Sequence, residues 1–567
     1  MGRRVFVSAC ALALTVALAQ PAYAVTEGLV TQDDEAGSYV LANTTDGSDD
    51  TMASCSIGRR QQNEPTIAVN PNDTDVVVAG ANDYCASIET GEVWVGYYRS
   101  ENGGQAWTHS LVPGYPTDET ALGEASPVHG TCGAAGDPTQ AFDAEGNLFY
   151  GFICFNRAKP INGGVYVARY SDDGATYDQT VLVKRGTPSG LFTAGLFQDK
   201  INLTVDQSEG QETSGNVYVA WSEYHGFAPN NEVLFSRSTD GGDSFSKPFR
   251  VTPQEHGTAS FADLAAGPEG NVYLTYLTYE SPSRPTADVW LLVSTDGGGS
   301  FGSPIHVASI TRFDSDQFSG ATGTVDCGDG PFACESGLTF SRFFSNSAVA
   351  GDDDGVHVVW ASENEDGQSQ VFVRSSDDLG ETWTTEDAIV IADHPDNGHQ
   401  WLPDIASDGT ELTVVYYDSV GDDAYSPDLP PGNDEDGTNS GDVVHTFIAQ
   451  SSDGSSWDDP VKVSIEGSNF GWETHGSRRV GFWGDYLYAS AVDGVVNVAW
   501  TDSRDLVSGI DPRETDEDDD EDGFDVMQDG CVYVPNDINA PSYSSPLNDD
   551  PCLNNGGLDQ NIYNARL

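Results

Sequence analysis

Short apolar segments alternate with polar turns along most of the chain, and these segments come in pairs. In a typical pair, Leu264–Ala266 is followed by Val272–Tyr276 after a turn of Gly, Pro, Glu and Asn. Runs of β-branched and aromatic residues bounded by such turns predict β-hairpins. Seven pairs follow one another, with first segments beginning at residues 66, 140, 202, 264, 348, 404 and 488. No helical periodicity of useful length accompanies them, so the pattern predicts an all-β protein.

The first six hairpins each lead to a third strand, a turn rich in Ser, Asp and Gly, and a fourth strand. In such a turn Asp accepts hydrogen bonds from backbone N–H groups, and Gly adopts the positive φ of a tight reversal. The six copies are Ser100–Trp107, Ser171–Tyr177, Ser238–Phe245, Ser294–Phe301, Ser376–Trp383 and Ser451–Trp457. The second and sixth copies are one residue shorter, so we expect their turns to differ from the others.

These turns resemble the Asp-box, or BNR repeat, of the sialidase-like β-propellers. The copy at Ser376–Trp383 matches the S-x-D-x-G-x-T-W pattern at every fixed position. The resemblance implies a β-propeller of four-stranded blades, for which the seven hairpins favour seven blades, with six as the alternative. The third strand of the last blade is then Asn561–Ala565, and Ser38–Ala42 is expected to supply its fourth strand. The N- and C-terminal strands would thus close the ring together.

The chain begins like a secretory signal, which assigns residues 1–24 to a signal peptide. Arg3 and Arg4 precede the apolar run Val5–Ala19, and Ala22–Ala24 forms a small-x-small cleavage site. The apolar run is too short for a comfortable membrane span, so the expectation is a secreted or periplasmic protein without membrane insertion. Residues 25–60 are expected to be a flexible segment that holds the closing strand. Residues 61–567 then form one propeller domain, with acidic insertions at 421–442 and 506–559.

Eight cysteines remain after the signal, which carries Cys10, is removed. An even number of cysteines in an exported protein favours disulfides. Proximity along the chain suggests the pairs Cys55–Cys85, Cys132–Cys154, Cys327–Cys334 and Cys531–Cys552. No CxxC motif or Cys/His cluster in the sequence indicates zinc.

The charge balance is strongly acidic, with 90 Asp and Glu against 24 Lys and Arg, a formal net charge of −66. Such a surface repels nucleic acid and anionic membranes. High salt would screen the self-repulsion, which is compatible with a saline habitat. The expected partner is an extracellular glycan or polysaccharide, and the protein is expected to be a monomer.

One acidic stretch matches the spacing of a calcium loop. Asp518, Asp520 and Asp522 occupy alternate positions before Gly523, and Asp529 falls at the twelfth position. Hard oxygen ligands at this spacing can surround one Ca²⁺ ion. The twelfth residue is Asp rather than Glu, and no flanking helices are evident. The alternative is a solvated acidic run.

In propellers, the loops that lead into the innermost strands gather on one face around the central channel. Guanidinium groups bind carboxylates in a bidentate manner, and the resemblance to sialidases implies three such arginines. The candidate substrate-binding residues in these loops are Arg59, Arg60, Arg342, Arg478, Arg479, His399 and His475. Sialidases also pair a Tyr nucleophile with a Glu and use an Asp acid. The candidate catalytic residues are Tyr486, Glu64, Asp137 and Asp404, although the F/Y-R-I-P motif of that family is absent.

The sequence leaves three functions open. The favoured one is a secreted glycoside hydrolase of sialidase-like architecture. The second is a polysaccharide lyase acting on a uronate polymer, because His129, His256, His399 and His475 precede inner strands, as does Tyr486. The third is a non-catalytic propeller that binds a glycan or a protein, since one fold hosts all three functions.

Overall fold

The computed structural model describes most of the chain from residue 25 to the C-terminus. The described residues are 25–32, 36–42, 48–56, 61–86, 90, 92–156, 163–188, 195–208, 210–225, 231–279, 286–311, 346–393, 398–422, 425–427, 443–469, 483–505 and 560–567, and for the backbone alone 324–326, 333–335, 542–544 and 551–553. The disulfides expected at Cys327–Cys334 and Cys531–Cys552 involve residues outside these ranges.

Seven four-stranded antiparallel sheets are arranged as the blades of a β-propeller. Within each blade the strands run in order from the first, which is innermost, to the fourth. Blade 1 consists of Gln62–Val69, Val77–Asp83, Trp94–Ser100 and Thr108–Leu111, and blade 2 consists of Ala134–Phe142, Leu148–Phe155, Gly163–Ser171 and Thr176–Arg185. Blade 3 consists of Leu196–Val205, Val217–His225, Asn231–Ser238 and Phe249–Arg250, and blade 4 consists of Ala259–Ala266, Val272–Thr278, Thr286–Ser294 and Ile305–Thr311. Blade 5 consists of Ser347–Asp352, Gly355–Glu363, Ser369–Ser376 and Ile389–Val390, and blade 6 consists of Gln400–Ser407, Leu412–Asp418, His445–Ser451 and Val461–Lys462. Blade 7 consists of Tyr488–Val492, Val495–Asp502, Asn561–Arg566 and Thr26–Leu29.

The remaining elements are short. Two small hairpins, Thr324–Asp326 with Ala333–Glu335 and Ser542–Ser544 with Pro551–Leu553, lie in the segments before blade 5 and within blade 7. There are also two helices, Asp50–Cys55 and Ala121–Ala125, and one 3₁₀ turn, Pro268–Gly270, in the described chain. None of the described helices has the length and apolar character needed to cross a membrane.

The ring is closed by the two ends of the chain, as predicted, but with a different N-terminal strand. Thr26–Leu29 pairs with Asn561–Arg566 and forms the outer edge of blade 7, so the assignment of Ser38–Ala42 to this position was wrong. Tyr39 instead makes an isolated bridge to His109 of blade 1, and its buried hydroxyl donates to Asp83 at 2.7 Å. The apolar character of this segment reflects its packing against blade 1 rather than a place in the blade 7 sheet.

The hydrophobic core lies between neighbouring blades. Phe235 and Tyr218 of blade 3, for example, pack against Leu264 and Leu274 of blade 4, and similar clusters join the other adjacent blades. The first strand of each blade contacts the first strand of the next, and blade 7 returns to blade 1 in the same way. These seven strands therefore surround a central channel.

The six repeated turns all connect the third and fourth strands, at the outer side of blades 1 to 6. In the turn of blade 4, Ser294 Oγ accepts the N–H of Gly298 at 2.9 Å, and Asp296 Oδ1 accepts the N–H of Ser300 at 2.8 Å. Gly298 has φ 72°, and a Cβ there would lie 2.7 Å from the Phe235 ring of the preceding blade. Glycine is thus required both by the turn and by the close approach of the neighbouring blade.

The shorter second and sixth turns differ from the other four, as predicted. In the sixth, Ser451 Oγ accepts the N–H of Gly454, three residues on rather than four. In the second, Asp172 and Asp173 both adopt positive φ. Two of the predicted disulfides, Cys55–Cys85 and Cys132–Cys154, are also confirmed.

Candidate functional site

Among the described residues, a β-bulge interrupts the innermost strand near its beginning in five blades. At each bulge one non-glycine residue has a positive φ, between 48° and 57°. These residues are Glu64, Asp137, Lys200, Phe261 and Leu402. A bulge re-aims a side chain out of the regular alternation of a strand. These bulges lie around the end of the channel at which the first strands begin. We call this end of the propeller the entrance face.

Five polar side chains converge on this face from blades 1, 2, 3 and 7, and we call them the entrance cluster. They are Glu64, Asp137, Lys200, Asp485 and Tyr486. Lys200 Nζ forms a buried ion pair with Asp485, and it lies 4.0 Å from Asp137 Oδ2. The backbone N–H of Lys200 donates to the same Asp137 oxygen at 3.0 Å. The cluster therefore joins residues that are up to 422 positions apart in the sequence.

Hydrogen bonds hold the carboxylates of the cluster in fixed orientations. Glu64 Oε1 accepts the N–H of Asp485 at 3.2 Å, and its Oε2 accepts Asn82 Nδ2 at 2.6 Å. The same Asn82 side chain accepts the N–H of Asp137 through its Oδ1 at 2.9 Å. Because the Asn82 amide contacts both Glu64 and Asp137, it fixes the position of one residue relative to the other. An acid–base site requires such a fixed arrangement.

The electrostatics of the cluster favour a charged Lys200. Burial lowers the pKa of this ammonium, but the surrounding carboxylates, foremost Asp485 and Asp137, outweigh burial and raise its pKa well above the usual value. Burial also raises the pKa of Tyr486, and the nearby Glu64 and Asp137 raise it further. The Tyr486 phenol is thus neutral around pH 7, and it donates to the Pro138 carbonyl at 3.3 Å.

A half-buried carboxyl pair, Asp263 and Asp404, lies on the first strands of blades 4 and 6. Asp263 Oδ2 accepts the N–H of Val349 and Asp404 Oδ2 accepts the N–H of Ala489, each at 2.7 Å, so each carboxyl is tied to the blade that follows its own. Burial raises the pKa of Asp404 to about 7. Burial, and then the charge of Asp404, raise the pKa of Asp263. The pair therefore retains a proton near neutral pH.

Two cavities mark the ends of the channel. The one at the entrance face has a volume of about 60 Å³ and is lined by both carboxyls of this pair, Lys200, Asp485 and Tyr486. At about 10–15 Å³ per water, this volume holds a few waters rather than a sugar ring. The cavity at the opposite end is wider, about 810 Å³, but no lysine or arginine lines it in the described part of the chain.

The structure brings together four of the predicted site residues and places a fifth apart. Glu64, Asp137 and Tyr486 are in the entrance cluster, and Asp404 lines the adjoining cavity. His399 is buried between blades 5 and 6, where its Nδ1 accepts the N–H of Ser369 at 3.1 Å. The predictions for Arg59, Arg60, Arg342, Arg478, Arg479 and His475, and for the metal ligands Asp518, Asp520, Asp522 and Asp529, lie outside the described residues.

Three further residues complete the site: Lys200, Asp263 and Asp485. Their positions before the inner strands of blades 3, 4 and 7 predict that they share this face, but no catalytic or binding role was assigned to them from the sequence, and the contact between Lys200 and Asp485 was not predicted. Proline was an available signal, because it directly follows the bulge residue in Glu64-Pro65, Asp137-Pro138 and Leu402-Pro403. A proline inside a strand-like run indicates an interrupted ladder.

Known protein families and curated proteins give no sequence match to this chain. Similar solved structures include an α-L-arabinanase from Penicillium chrysogenum (14% identity, 63% of this chain and 88% of that chain, TM-score 0.39) and a sialidase from Trypanosoma rangeli (12%, 70% and 58%, TM-score 0.37). The endosialidase of phage phi92 covers 96% of this chain and 69% of its own, with 10% identity and a TM-score of 0.42. These neighbours are glycan-acting propellers, but the similarity is too weak to carry an argument about activity.

Proposed function

We propose that this protein is an extracellular glycan-acting propeller, and specifically a glycoside hydrolase with its active site at the entrance face. The observation that supports this most directly is the convergence of one phenol and several carboxyls, held by hydrogen bonds, around Lys200 at the entrance face. Glycoside hydrolysis requires a proton donor and a nucleophile or base on opposite sides of one bond. The entrance cluster and the adjoining carboxyl pair offer both.

In the proposed mechanism, Tyr486 acts as nucleophile and Glu64 takes its proton. A phenol with a raised pKa is a poor nucleophile until a base removes the proton, and Glu64 is the carboxylate of the entrance cluster whose charge acts most strongly on the pKa of Tyr486. Asp404 is suited to protonate the leaving group, because a carboxyl with a pKa of about 7 still carries its proton near neutral pH. Asp137 is the alternative acid, although one of its oxygens is engaged by Lys200.

The remaining features of the proposal concern the substrate and the metal. Arg59, Arg60, Arg342, Arg478 and Arg479, with His475, are proposed to bind an anionic sugar, with sialic acid as the first candidate. His399 is left out of this set, because its side chain is buried and its ring contacts Ser369 and Ser426. Ca²⁺ is proposed to bind Asp518, Asp520, Asp522 and Asp529 in a structural role. The lyase alternative is less favoured, because no histidine lines the entrance cavity in the described part of the chain.

The test is activity of the mature protein on a panel of sialosides, arabinans and uronate polymers in high salt, with Ca²⁺ and after its chelation. We expect new reducing ends without new ultraviolet absorbance, and a loss of at least about 100-fold in Tyr486→Phe and in Asp404→Asn. Tyr218→Phe is the matched control, since Tyr218 is a buried tyrosine of blade 3 bonded to Asn216. Absorbance from an unsaturated uronate would instead indicate the lyase. Binding without turnover by the folded protein would indicate a non-catalytic propeller.

A further inference from the structure

Three side chains with the chemistry of metal ligands converge in blade 3, outside the entrance cluster. Glu223 and His225 are two residues apart on the second strand, so they project from the same face of the sheet. Glu232 on the third strand is directly opposite Glu223. One ligand atom from each residue lies within 4.8 Å of the other two.

The separations are close to those of ligands on a single ion. His225 Nε2 lies 3.6 Å from Glu223 Oε1 and 3.8 Å from Glu232 Oε1. Ligands about 2.0–2.2 Å from Zn²⁺ in a tetrahedral arrangement are roughly 3.3–3.6 Å apart. The imidazole nitrogen is buried and has no hydrogen-bond partner. A buried polar atom without a partner is costly, and a bound cation would provide one.

The second oxygen of each carboxylate, Oε2, contacts a donor group from outside the three-residue cluster. Glu223 Oε2 accepts Gln198 Nε2 at 2.8 Å and lies 3.4 Å from Lys184 Nζ. Glu232 Oε2 lies 3.0 Å from an Arg250 guanidinium nitrogen. These donors leave both Oε1 atoms facing His225. An outer layer of donors that orients the inner ligands is typical of protein metal sites.

We propose that Glu223, His225 and Glu232 bind one divalent transition-metal ion, for which the ligand set favours Zn²⁺. One imidazole with two carboxylates suits Zn²⁺ better than Ca²⁺, which takes six to eight oxygen ligands. Three protein ligands leave a fourth position for water. The side chain of His225 is 33% exposed, so the site lies near the protein surface.

The site is on the same side of the propeller as the entrance cluster. His225 pairs with Leu196, four residues before Lys200 on the first strand of blade 3. The bound ion would hold the second and third strands together at that end of the blade. This proposal does not depend on hydrolase activity, and a protein that only binds glycans could carry the same ion.

The experiment is Zn²⁺ titration of the metal-stripped mature protein by calorimetry, with excess Ca²⁺ present to occupy sites made only of carboxylates. We expect one Zn²⁺ per chain, and affinity at least about 10-fold weaker in His225→Gln and in Glu232→Gln. His306→Gln is the matched control, because His306 is an exposed histidine 3.1 Å from Asp288, and it should bind Zn²⁺ like the wild type.

Co²⁺ provides a second readout that does not depend on stability. Wild-type protein should show the visible absorption of four-coordinate Co²⁺, and His225→Gln should lose it while its circular dichroism and thermal midpoint without metal stay unchanged. Equal Zn²⁺ affinity in wild type and His225→Gln would overturn the proposal. The absence of Zn²⁺ binding by the folded wild type, or an equal loss in His306→Gln, would overturn it as well.

Discussion

Blade 4 carries an aspartate at each edge, and the two behave in opposite ways. At the inner edge, burial and then the charge of Asp404 raise the pKa of Asp263. At the outer edge, desolvation opposes the ionisation of Asp296, but hydrogen bonds from Ser300 and Ser294 together outweigh it and lower the Asp296 pKa. Aspartate therefore retains a proton beside the channel, whereas at the outer edge it is ionised and accepts the hydrogen bonds that hold the turn.

The difference follows from what surrounds each carboxyl rather than from the local sequence. The outer turn meets its own hydrogen-bonding needs with residues two to four positions away, in contact with water. The channel carboxyls depend on donors from the following blade, such as the N–H of Val349 for Asp263. The outer edge is thus a local structure repeated six times, whereas the inner edge exists only when the ring is closed.

The largest expected effect comes from removing the cation of the inner edge. Lys200→Met should destabilise the protein by about 3–5 kcal/mol, because it leaves Asp485 and Asp137 buried without their counter-charge. The free energy of unfolding, measured by urea titration at pH 7, checks this. Lys462→Met, at an exposed lysine of blade 6, is the control and should change it by less than about 0.5 kcal/mol. A similar small change in both variants would contradict a buried ion pair at the entrance.

The next effect concerns the pH dependence of the carboxyl pair. Asp404 ionises near pH 3.8 when unfolded and near 7 when folded. Between these values the unfolded chain binds fewer protons, so wild-type stability falls as pH rises from about 4 to 7. Asp404→Asn removes this contribution and keeps an acceptor for the Ala489 N–H. Relative to wild type, the variant should gain up to a few kcal/mol between pH 5 and pH 8, at about 1.4 kcal/mol per pKa unit.

The measurement is the urea midpoint of both proteins at the two pH values, since the difference cancels the titrating groups that do not interact with Asp404. Asp353→Asn, at an exposed aspartate near the opposite end of the channel, should show no such gain. A constant difference between Asp404→Asn and wild type across this range would show that the carboxyl is ionised throughout.

The contrast between the two edges also explains which features could be predicted from the sequence. Strand pairs, repeated turns and two disulfides depend on nearby residues, and those predictions are confirmed. The number of blades follows from counting hairpins. The prediction that Glu64, Asp137 and Tyr486 share one face also agrees with the structure, because it used the geometry of the whole ring.

The features that were missed depend on contacts between distant segments. Lys200 and Asp485 are 285 positions apart, and no local pattern connects them. The closing strand was placed at Ser38–Ala42, an apolar stretch within the polar N-terminal segment, whereas Thr26–Leu29 forms it. At Gly28 this strand approaches the blade 1 turn closely, since a Cβ there would lie 2.6 Å from the Gly104 carbonyl oxygen. Strand propensity does not report a contact of this kind.

The smallest effect is expected at the outer edge, where the turn of blade 4 can be tested alone. Asp296→Ala removes the acceptor of the Ser300 N–H and hydroxyl, both at 2.8 Å, and should cost about 1 kcal/mol. Because the Asp296 pKa is lowered on folding, this contribution is present above pH 4 and is lost as pH falls below it, the opposite sign to that of Asp404. Urea titrations at pH 7 and pH 3 check both points, with Asp353→Ala as the exposed control. If Asp296→Ala and wild type differ equally at the two pH values, the turn is not held by an ionised carboxylate, and the contrast between the two edges of the blade fails.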